Sequence, residues 1–323
     1  MNIEMIRQAA SRLDGYARRT PLLNSAFLDD IAGRRVWIKP ECLQHTGSFK
    51  FRGAWAALSA MDEAARQRGV LAYSSGNHAQ GVALAAARHG ASAVIVMPSD
   101  APALKIENTK ALGAEVVLYD RSRRSEREKL GTAIAEERGL TLVKPFDEPQ
   151  VIAGQGSTGL EIAEQAAEIG VKKADVLVCC GGGGFTSGIA LAVEADAPGL
   201  RVRPVEPENF DDMARSLQSG QIERNAKTSG SLCDAIITPS PGQITFPIIQ
   251  RLCGPGSVVS EDEAMKAVAH AFLRLKLVAE PGGAVALAAA LWHQDVLEGD
   301  DVIVTISGGN VDSDVFARAL ESL

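Results

Sequence analysis

The sequence predicts an α/β protein in which helices cover both faces of parallel β-sheet. Apolar runs of strand length recur along almost the whole of the 323-residue chain. Amphipathic, alanine-rich segments lie between these runs, and this alternation of strand and helix is typical of parallel sheets. Hydrophobic residues make up 46% and charged residues 23% of the chain, which is an ordinary globular composition. The length is sufficient for two modest domains or for one large α/β unit.

Each predicted element rests on a local pattern of apolar residues. The predicted strands are Val36–Lys39, Val70–Tyr73, Ala93–Met97, Val116–Tyr119, Val176–Cys180, Val202–Val205 and Val302–Ile306. The predicted helices include Gln80–Arg88, Ala103–Leu112, Gly159–Ile169, Ile189–Ala195 and Ala264–Leu275. A capping box formed by Ser260 and Glu263 marks the start of the last of these helices. The sequence contains no repeat of fixed period and no long linker, and we expect no appended regulatory domain after the last strand.

Charge, apolar segments and cysteine content exclude several classes of partner and site. The 33 basic and 40 acidic residues give a net charge of −7, so electrostatics does not favour nucleic acid or an anionic membrane. No apolar stretch reaches the roughly 20 residues that a membrane span requires, and the charged N-terminus does not resemble a secretory signal. The five cysteines include no CxxC pair, which argues against a disulfide framework and a zinc site. We therefore expect a cytoplasmic protein with a small-molecule ligand.

The first segment with chemical potential is Thr46–Ala54, TGSFKFRGA, which follows a predicted strand and opens a helix. Ser48 is the expected N-cap and puts Lys50 in the first turn. The helix dipole favours anions there, so Lys50 loses its proton more easily than an ordinary lysine. This property suits a lysine to Schiff-base chemistry, although a surface lysine at a helix start is the commoner situation. The neighbouring Phe49 and Phe51 favour a packed and specified site.

The second segment is Ser74–Gly81, SSGNHAQG, directly after the predicted strand Val70–Tyr73. Small polar residues at the start of a helix expose backbone N–H groups, and such a nest binds carboxylates or phosphates. Simple N-capping by Ser75 or Asn77 explains the pattern about equally well. His78 alone is more often structural than catalytic.

The third segment is the run of four glycines Gly181–Gly184, followed by Phe185, between a buried strand and a helix. Successive glycines let the backbone wrap closely around an anion, and the helix N-terminus completes the charge match. The run therefore predicts a phosphate site. No offset within Gly181–Gly188 gives the glycine spacing of a dinucleotide fold, and no Lys-Ser/Thr pair follows as in a P-loop.

Two further segments carry weaker local signals. Glu206–Asp212, EPENFDD, lies on a strand-to-helix turn, where acidic residues favour the helix N-terminus or supply oxygen ligands to a divalent cation. On spacing alone, the helix-end explanation is the better one. Ser307–Asn310, SGGN, follows the last predicted strand and is good chemistry for a tight turn.

Taken in this order, the segments closely resemble the fold type II pyridoxal-phosphate (PLP) enzymes of the threonine dehydratase and serine racemase group, which have a tryptophan synthase beta-like fold. The resemblance extends from Arg19–Leu22 to Ser307–Asp312. It implies two α/β domains of parallel sheets flanked by helices, with PLP in the interdomain cleft. Residues 1–68 and 147–323 would form the large PLP-binding domain, and residues 69–146 a small domain inserted in it. The resemblance also implies a homodimer.

The resemblance assigns a role to residues in each segment. It makes Lys50 the Schiff-base lysine and the base on one face of the substrate Cα, with Ser75 as acid/base on the opposite face. The implied cofactor-binding residues are Phe49, Lys50, Asn77, Gly181, Gly182, Gly183, Gly184, Phe185, Glu280 and Ser307. The implied substrate-binding residues are Ser74, Ser75, Gly76 and His78. Relatives in the racemase branch bind a divalent cation, which makes Mg²⁺ on Glu206, Asp212 and the carbonyl oxygen of Phe210 the better interpretation of the acidic cluster.

The function that the resemblance implies is that of a dehydratase, or ammonia-lyase. Such an enzyme eliminates water from a 3-hydroxy amino acid, and the product hydrolyses to a keto acid and ammonia. A hydroxyl such as that of Ser307 cannot hold a firm positive charge on the ring nitrogen, which favours elimination over transamination. Racemisation of serine or aspartate is the alternative, since Ser75 occupies the position of the second acid/base.

The substrate stays open among threonine, serine and 3-hydroxyaspartate, which differ only in the β-substituent. A second substrate carboxylate would want a nearby cation, for which His45, Arg52 and Arg127 are candidates. Two other classes of protein fit less well. A nicotinamide-dependent oxidoreductase would need the dinucleotide glycine spacing, and a non-catalytic binding protein would have no reason to keep both Lys50 and Ser75.

Overall fold

The computed structural model of the protein describes residues 1–74, 76–99, 101, 103–120, 124–227 and 229–323. These residues contain two β-sheets with helices packed against them. The predicted α/β class is therefore confirmed. Each of the seven predicted strands is present, with ends that differ from the predicted ones by at most a few residues.

The first sheet has six strands, numbered here in chain order. Across the sheet they are β1 (Leu23–Asn24), β2 (Arg35–Pro40), β10 (Asp301–Ile306), β7 (Ala174–Cys179), β8 (Leu200–Pro207) and β9 (Ser257–Val259). β1 pairs with β2 in antiparallel fashion, and the other neighbours are parallel. β7 and β10 are buried along their whole length, as expected for central strands covered on both faces.

The second sheet has four parallel strands, all of which lie between residues 70 and 142. Across the sheet they are β5 (Glu115–Tyr119), β4 (Ala93–Pro98), β3 (Val70–Tyr73) and β6 (Thr141–Leu142). The chain thus leaves the first sheet after β2, forms the second sheet, and returns to the first sheet at β7.

Helices connect the strands and cover the sheets. In chain order the helices are α1 (Ile3–Leu13), α2 (Ala26–Ala32), α3 (Lys50–Ser59), α4 (Glu63–Arg68), α5 (Asn77–Arg88), α6 (Ala103–Ala111), α7 (Arg124–Arg138), α8 (Pro149–Glu168), α9 (Gly184–Asp196), α10 (Asp212–Ser219), α11 (Thr245–Leu252), α12 (Glu261–Leu275), α13 (Pro281–Trp292) and α14 (Ser313–Leu320). The predicted capping box of α12 is present, with Ser260 and Glu263 bonded reciprocally. Among the described helices, none combines the length and the apolar character that crossing a bilayer requires.

Helix α8 begins at Pro149, well before the predicted start at Gly159, and its glycines explain the difference. A Cβ atom at Gly154 would lie 2.3 Å from the carbonyl oxygen of Arg52 in α3. A Cβ atom at Gly188 of α9 would likewise lie 2.6 Å from the carbonyl oxygen of Ile152 in α8. Glycine therefore lets α8 pack closely on both neighbouring helices, at the cost of its own lower helix propensity.

Buried ion pairs tie α3 to β2 and α8. The Arg52 guanidinium, with a side chain 1% exposed, donates to Glu41 at 2.7 and 2.9 Å and to Glu161 at 2.6 and 3.0 Å. The buried Lys39 amine donates to Glu161 at 2.6 Å and also to Gln165 at 2.8 Å. Two cations and two carboxylates thus neutralise one another inside the protein, as buried charges must.

We predict that Arg52→Met destabilises the protein by about 3–5 kcal/mol, because the fully buried Glu41 carboxylate loses its partner. Urea unfolding of the variant and the wild type measures this difference. The matched control is Arg251→Met, which removes an exposed ion pair with Glu194 and should cost at most about 1 kcal/mol. Equal losses in the two variants would contradict a special role for the Arg52 ion pairs.

Candidate active site

One cavity of about 180 Å³ collects the predicted site residues. Its described lining includes Phe49, Lys50, Ser74, Gly76, Asn77, His78, Gly181, Gly182, Gly183, Gly184, Phe185, Glu280 and Ser307. Ser75 lies outside the described residues. Glu206, Phe210 and Asp212 do not belong to the described lining and form a separate cluster.

The cavity lies where strands of both sheets end. β7 runs into the glycine loop Gly181–Gly184, and β10 runs into Ser307. β3 of the second sheet runs into Ser74 and the start of α5. Ligands of parallel α/β sheets bind outside the carboxyl ends of the strands, and this cavity follows that rule.

Lys50 is the first residue of α3, as predicted, although the cap differs. Phe49 occupies the N-cap position, so the prediction of Ser48 as N-cap is wrong. Ser48 instead forms an isolated antiparallel β-bridge with Gly308, which joins this loop to the segment after β10. The Lys50 amine donates to the carbonyl oxygen of Pro145 at 2.9 Å. Burial lowers the pKa of Lys50 to about 8, which makes its neutral form accessible near physiological pH.

The glycine loop fits a phosphate group. A Cβ atom at Gly182 would lie 2.3 Å from the ring of Phe146, and Gly183 has a left-handed φ of +91°, so both positions require glycine. α9 begins at Gly184 and directs its N-terminal N–H groups and its positive dipole end at the cavity. The buried Thr186 hydroxyl in the first turn of α9 has no hydrogen-bond partner among the described residues. This donor set is complementary to an anion.

A network of side-chain hydrogen bonds joins the start of α5 to the residue before α13 and to the loop after β10. Asn77 donates to the Glu280 carboxylate at 2.6 Å and accepts from the Asn310 amide at 2.7 Å. Asn310 also donates to the carbonyl oxygen of Thr46, beside Lys50, at 2.8 Å. The sequence assigned Asn310 only to a turn. Its second role depends on a contact across 233 positions of the chain, which no local pattern reveals.

Burial shifts the pKa values of Glu280 and His78 in opposite directions, each towards the uncharged form. Burial raises the pKa of Glu280 to about 7, with a further rise from the nearby Asp234 carboxylate. Burial lowers the pKa of His78 to about 3, so the imidazole is neutral. Its Nε2 lies 2.8 Å from the carbonyl oxygen of Val143 and must donate to it, which leaves Nδ1 as an acceptor without a partner among the described residues.

The aromatic and hydroxyl groups complete the lining. The rings of Phe49 and Phe185 stack with centroids 4.0 Å apart, and the Lys50 amine lies 5.0 Å from the centre of the Phe49 ring. Ser307 is 3% exposed and directly follows β10. Its backbone carbonyl accepts from the N–H of Phe49 at 3.2 Å, so the two residues are held in register.

The acidic cluster lies at the start of α10, outside the cavity. The Glu206 carboxylate accepts the N–H groups of Met213 and Ala214 at 3.0 and 2.8 Å. One oxygen of Asp212 accepts from Asn225, and its Oδ2 is buried without a partner among the described residues. Burial raises the pKa of both carboxyl groups, that of Asp212 to about 7. The described residues contain no group of three or more His, Cys, Asp or Glu side chains suited to a metal.

Two of the three cations expected for a second substrate carboxylate, Arg52 and His45, lie outside the described cavity lining. Arg52 is bound by Glu41 and Glu161 in the interior, and His45 packs edge-on against Phe51 outside the described lining. The side chain of Arg127 lies outside the described residues. The cavity contains a different cation, Lys105.

The family model for pyridoxal-phosphate dependent enzymes matches residues 13–309. The chain belongs to this family. PLP is therefore the cofactor of the protein, and the resemblance found in the sequence is confirmed. The match includes Lys50, the glycine loop and Ser307.

Three relatives are similar to this chain over almost its whole length. The chain is 44% identical over 314 residues to an L-threo-3-hydroxyaspartate ammonia-lyase of a Pseudomonas species, covering 97% of each chain. It is 40% identical to a serine racemase of Schizosaccharomyces pombe, covering 98% of this chain and 96% of that one. The crystal structure of a threonine deaminase from T.th. superimposes with a TM-score of 0.91 at 44% identity, covering 97% of this chain and 99% of that one.

We predict that attachment of PLP to the cofactor-free protein depends on pH through Lys50. The cofactor's aldehyde reacts with a neutral amine, and the neutral fraction rises about tenfold per pH unit until pH reaches the pKa. The attachment rate, followed by absorbance, should therefore level off near pH 8 and not near the ordinary lysine value of 10.5. Nα-acetyl-lysine is the reference amine. A rate that keeps rising to about pH 10, the range of an ordinary lysine, would contradict the lowered pKa.

Proposed function

We propose that this PLP enzyme eliminates water from a 3-hydroxy amino acid and releases a keto acid and ammonia. The observation that carries the proposal is the 44% identity, over 97% of both chains, to an L-threo-3-hydroxyaspartate ammonia-lyase. The similarity to a threonine deaminase structure points to the same reaction class. The cavity that contains Lys50 and Ser307 supplies the groups that this reaction requires.

The residues that would hold the cofactor are those of the cavity floor. Lys50 is the amine for its aldehyde, and the amides of Gly181–Gly184 with Phe185 would hold its phosphate, helped by the Thr186 hydroxyl. Phe49 would pack beside the ring, and Asn77 would donate to the ring oxygen. When bound, PLP withdraws electrons from the substrate Cα and makes its proton acidic.

The chain's own groups would then move the protons. Once the substrate amine has taken its place on the cofactor, the freed Lys50 amine would accept the Cα proton, for which a lowered pKa is suited. The hydroxyl of Ser307, expected beside the ring nitrogen, does not stabilise a full positive charge there, which favours elimination over transamination. Glu280, whose pKa lies near neutrality, would hold or release a proton on the same side of the cavity.

The substrate carboxylate would bind at the turn between β3 and α5. Ser74 and Gly76 lie in this turn, His78 follows in the first turn of α5, and the N-terminus of α5 favours an anion there. Ser75, which lies outside the described residues, is proposed as a further contact. The neutral His78 does not compete for the substrate's charge. Racemisation is the second candidate activity, because a serine racemase is 40% identical to this chain and Ser75 corresponds to the opposite-face acid/base.

Mg²⁺ is proposed as a structural ion on Glu206, Asp212 and the carbonyl oxygen of Phe210. Oxygen ligands of this kind suit Mg²⁺, and the unpaired Oδ2 of the fully buried Asp212 lacks any other partner among the described residues. The cation would neutralise carboxylates that are otherwise costly to bury.

The remaining features of the proposal concern organisation. We propose a large domain of residues 1–68 and 147–323 and a small inserted domain of residues 69–146, and the division of the strands between two sheets supports this. A homodimer and a cytoplasmic location stay predictions from the sequence.

We predict keto acid release by the holoenzyme from at least one of L-threonine, L-serine and the 3-hydroxyaspartate diastereomers. Lys50→Ala should lower the rate by at least about a hundredfold, since the proton acceptor is lost. Borohydride reduction followed by peptide mapping should label Lys50 in the wild type. The proposal fails if no pyridoxyl label is found on Lys50, or if none of the substrates releases keto acid.

We predict that chelation lowers both activity and thermal stability, and that Mg²⁺ restores them. An ion present at about 100 times its Kd stabilises the folded state by about 2.7 kcal/mol. Asp212→Asn should remove the response to chelator. Asp211→Asn is the control, because Asp211 contacts the partly exposed Arg215 and is not a proposed ligand. Unchanged activity and melting temperature after chelation would exclude the site.

A further inference from the structure

Lys105 is a cation in the cavity to which no role has been given. It lies in the first turn of α6, next to the carboxyl end of β4 in the second sheet. Its side chain is 14% exposed, and its amine lies 3.6 Å from the carboxylate of Asp234. Both side chains line the cavity together with Lys50, Ser74 and Glu280.

The charges of the cavity show that Lys105 is available for an anion. Among the described lining residues, Lys50 and Lys105 are the lysines and arginines, and Lys50 is committed to the cofactor. Burial raises the pKa of Glu280, Asp234 raises it further, and Lys105 lowers it. Lys105 and Asp234 are therefore near enough to Glu280 to interact with it electrostatically.

The partner of Lys105 is weakly bound. Asp234 is 62% exposed, and 3.6 Å is long for a charged hydrogen bond, which is ordinarily about 2.7–2.9 Å. Because the Asp234 carboxylate is exposed and stays hydrated, this ion pair contributes less free energy than a fully buried one. A ligand carboxylate that entered the cavity could replace Asp234 without a large penalty.

We propose that Lys105 binds the distal carboxylate of a dicarboxylic substrate and so directs the enzyme to 3-hydroxyaspartate in preference to threonine or serine. The proposal rests on the function proposed above, since it concerns the substrate class of the same site. The α-carboxylate is expected at the Ser74–His78 turn, and Lys105 follows the neighbouring strand of the same sheet. A short dicarboxylate can therefore contact both elements.

Asp234 acts in the opposite sense. Its carboxylate competes with the substrate for Lys105 and repels a second negative charge in the cavity. When the substrate has no distal carboxylate, Asp234 remains the ion-pair partner of Lys105 and partly neutralises its charge. The Lys105–Asp234 pair thus sets the selectivity between dicarboxylic and monocarboxylic substrates. Removing the Lys105 charge should lower the preference for a dicarboxylic substrate, and removing the Asp234 charge should raise it.

The test compares kcat/KM of the holoenzyme for L-threo-3-hydroxyaspartate and L-serine. Lys105→Met should lower the value for hydroxyaspartate by about 10- to 100-fold, the worth of a charge-assisted hydrogen bond, and leave that for serine within about threefold. Lys105→Arg should restore most of the loss. Asp234→Asn should raise the value for hydroxyaspartate by about two- to fivefold. Lys110→Met, an exposed lysine of the same helix, is the matched control and should change neither value.

A binding measurement separates this proposal from the proposed function. Calorimetric titration of the holoenzyme with succinate, against butyrate of equal carbon number, reports the distal-carboxylate site without turnover. Weaker succinate binding in Lys105→Met with unchanged butyrate binding supports the site, even if the wild type releases no keto acid. The proposal is overturned if Lys105→Met lowers kcat/KM equally for hydroxyaspartate and serine, or leaves hydroxyaspartate turnover unchanged. Unchanged succinate affinity in this variant also overturns it.

Discussion

The buried ion pairs of Arg52 are the constraint on which the site depends. They fix α3 between β2 and α8, and α3 begins at Lys50. Two cations two positions apart therefore have opposite environments. Arg52 has carboxylates on both sides and stays charged, whereas the Lys50 amine donates to a backbone carbonyl in a site that lowers its pKa. Arg52 holds the helix that carries Lys50 in place. Lys50 itself needs a site without paired carboxylates, because such partners would raise its pKa.

The fold was largely predictable because the central strands are continuous apolar runs bounded by turns. The two-residue strands β1 and β6 were not predicted, since so few residues carry no period. Helix α13 also escaped prediction. Residues 281–291 are buried on all sides, so the segment has no polar face to give it a helical pattern. The early part of α8 was missed because Gly154 and Gly156 are poor helix formers that pack against neighbouring helices.

The site was predictable where a local motif carries it and not where the contacts are remote. Residues from each of the three loop motifs line one cavity, as expected for carboxyl ends of parallel strands. The link from Asn77 to Glu280 and Asn310 joins residues 203 and 233 positions apart and has no sequence signal. The prediction of Arg52 as a substrate-binding cation was wrong, because the sequence does not show that this side chain is buried. Lys105 had a usable signal, a lysine in the first helical turn after a strand, which is the argument that identified Lys50.

The close contact of α3 with α8 has a consequence for how the protein can vary. The segment that forms the second sheet leaves the first sheet through α3 and returns through α8, and these helices touch at Gly154. Its two ends therefore lie side by side, and the entropic cost of closing such a loop grows only slowly with its length. Residues of that segment other than Asn77, including Ser74 and Lys105, can be exchanged while the frame that carries Lys50, the glycine loop and Ser307 is kept. Substrate range and cofactor chemistry are thereby separable during evolution.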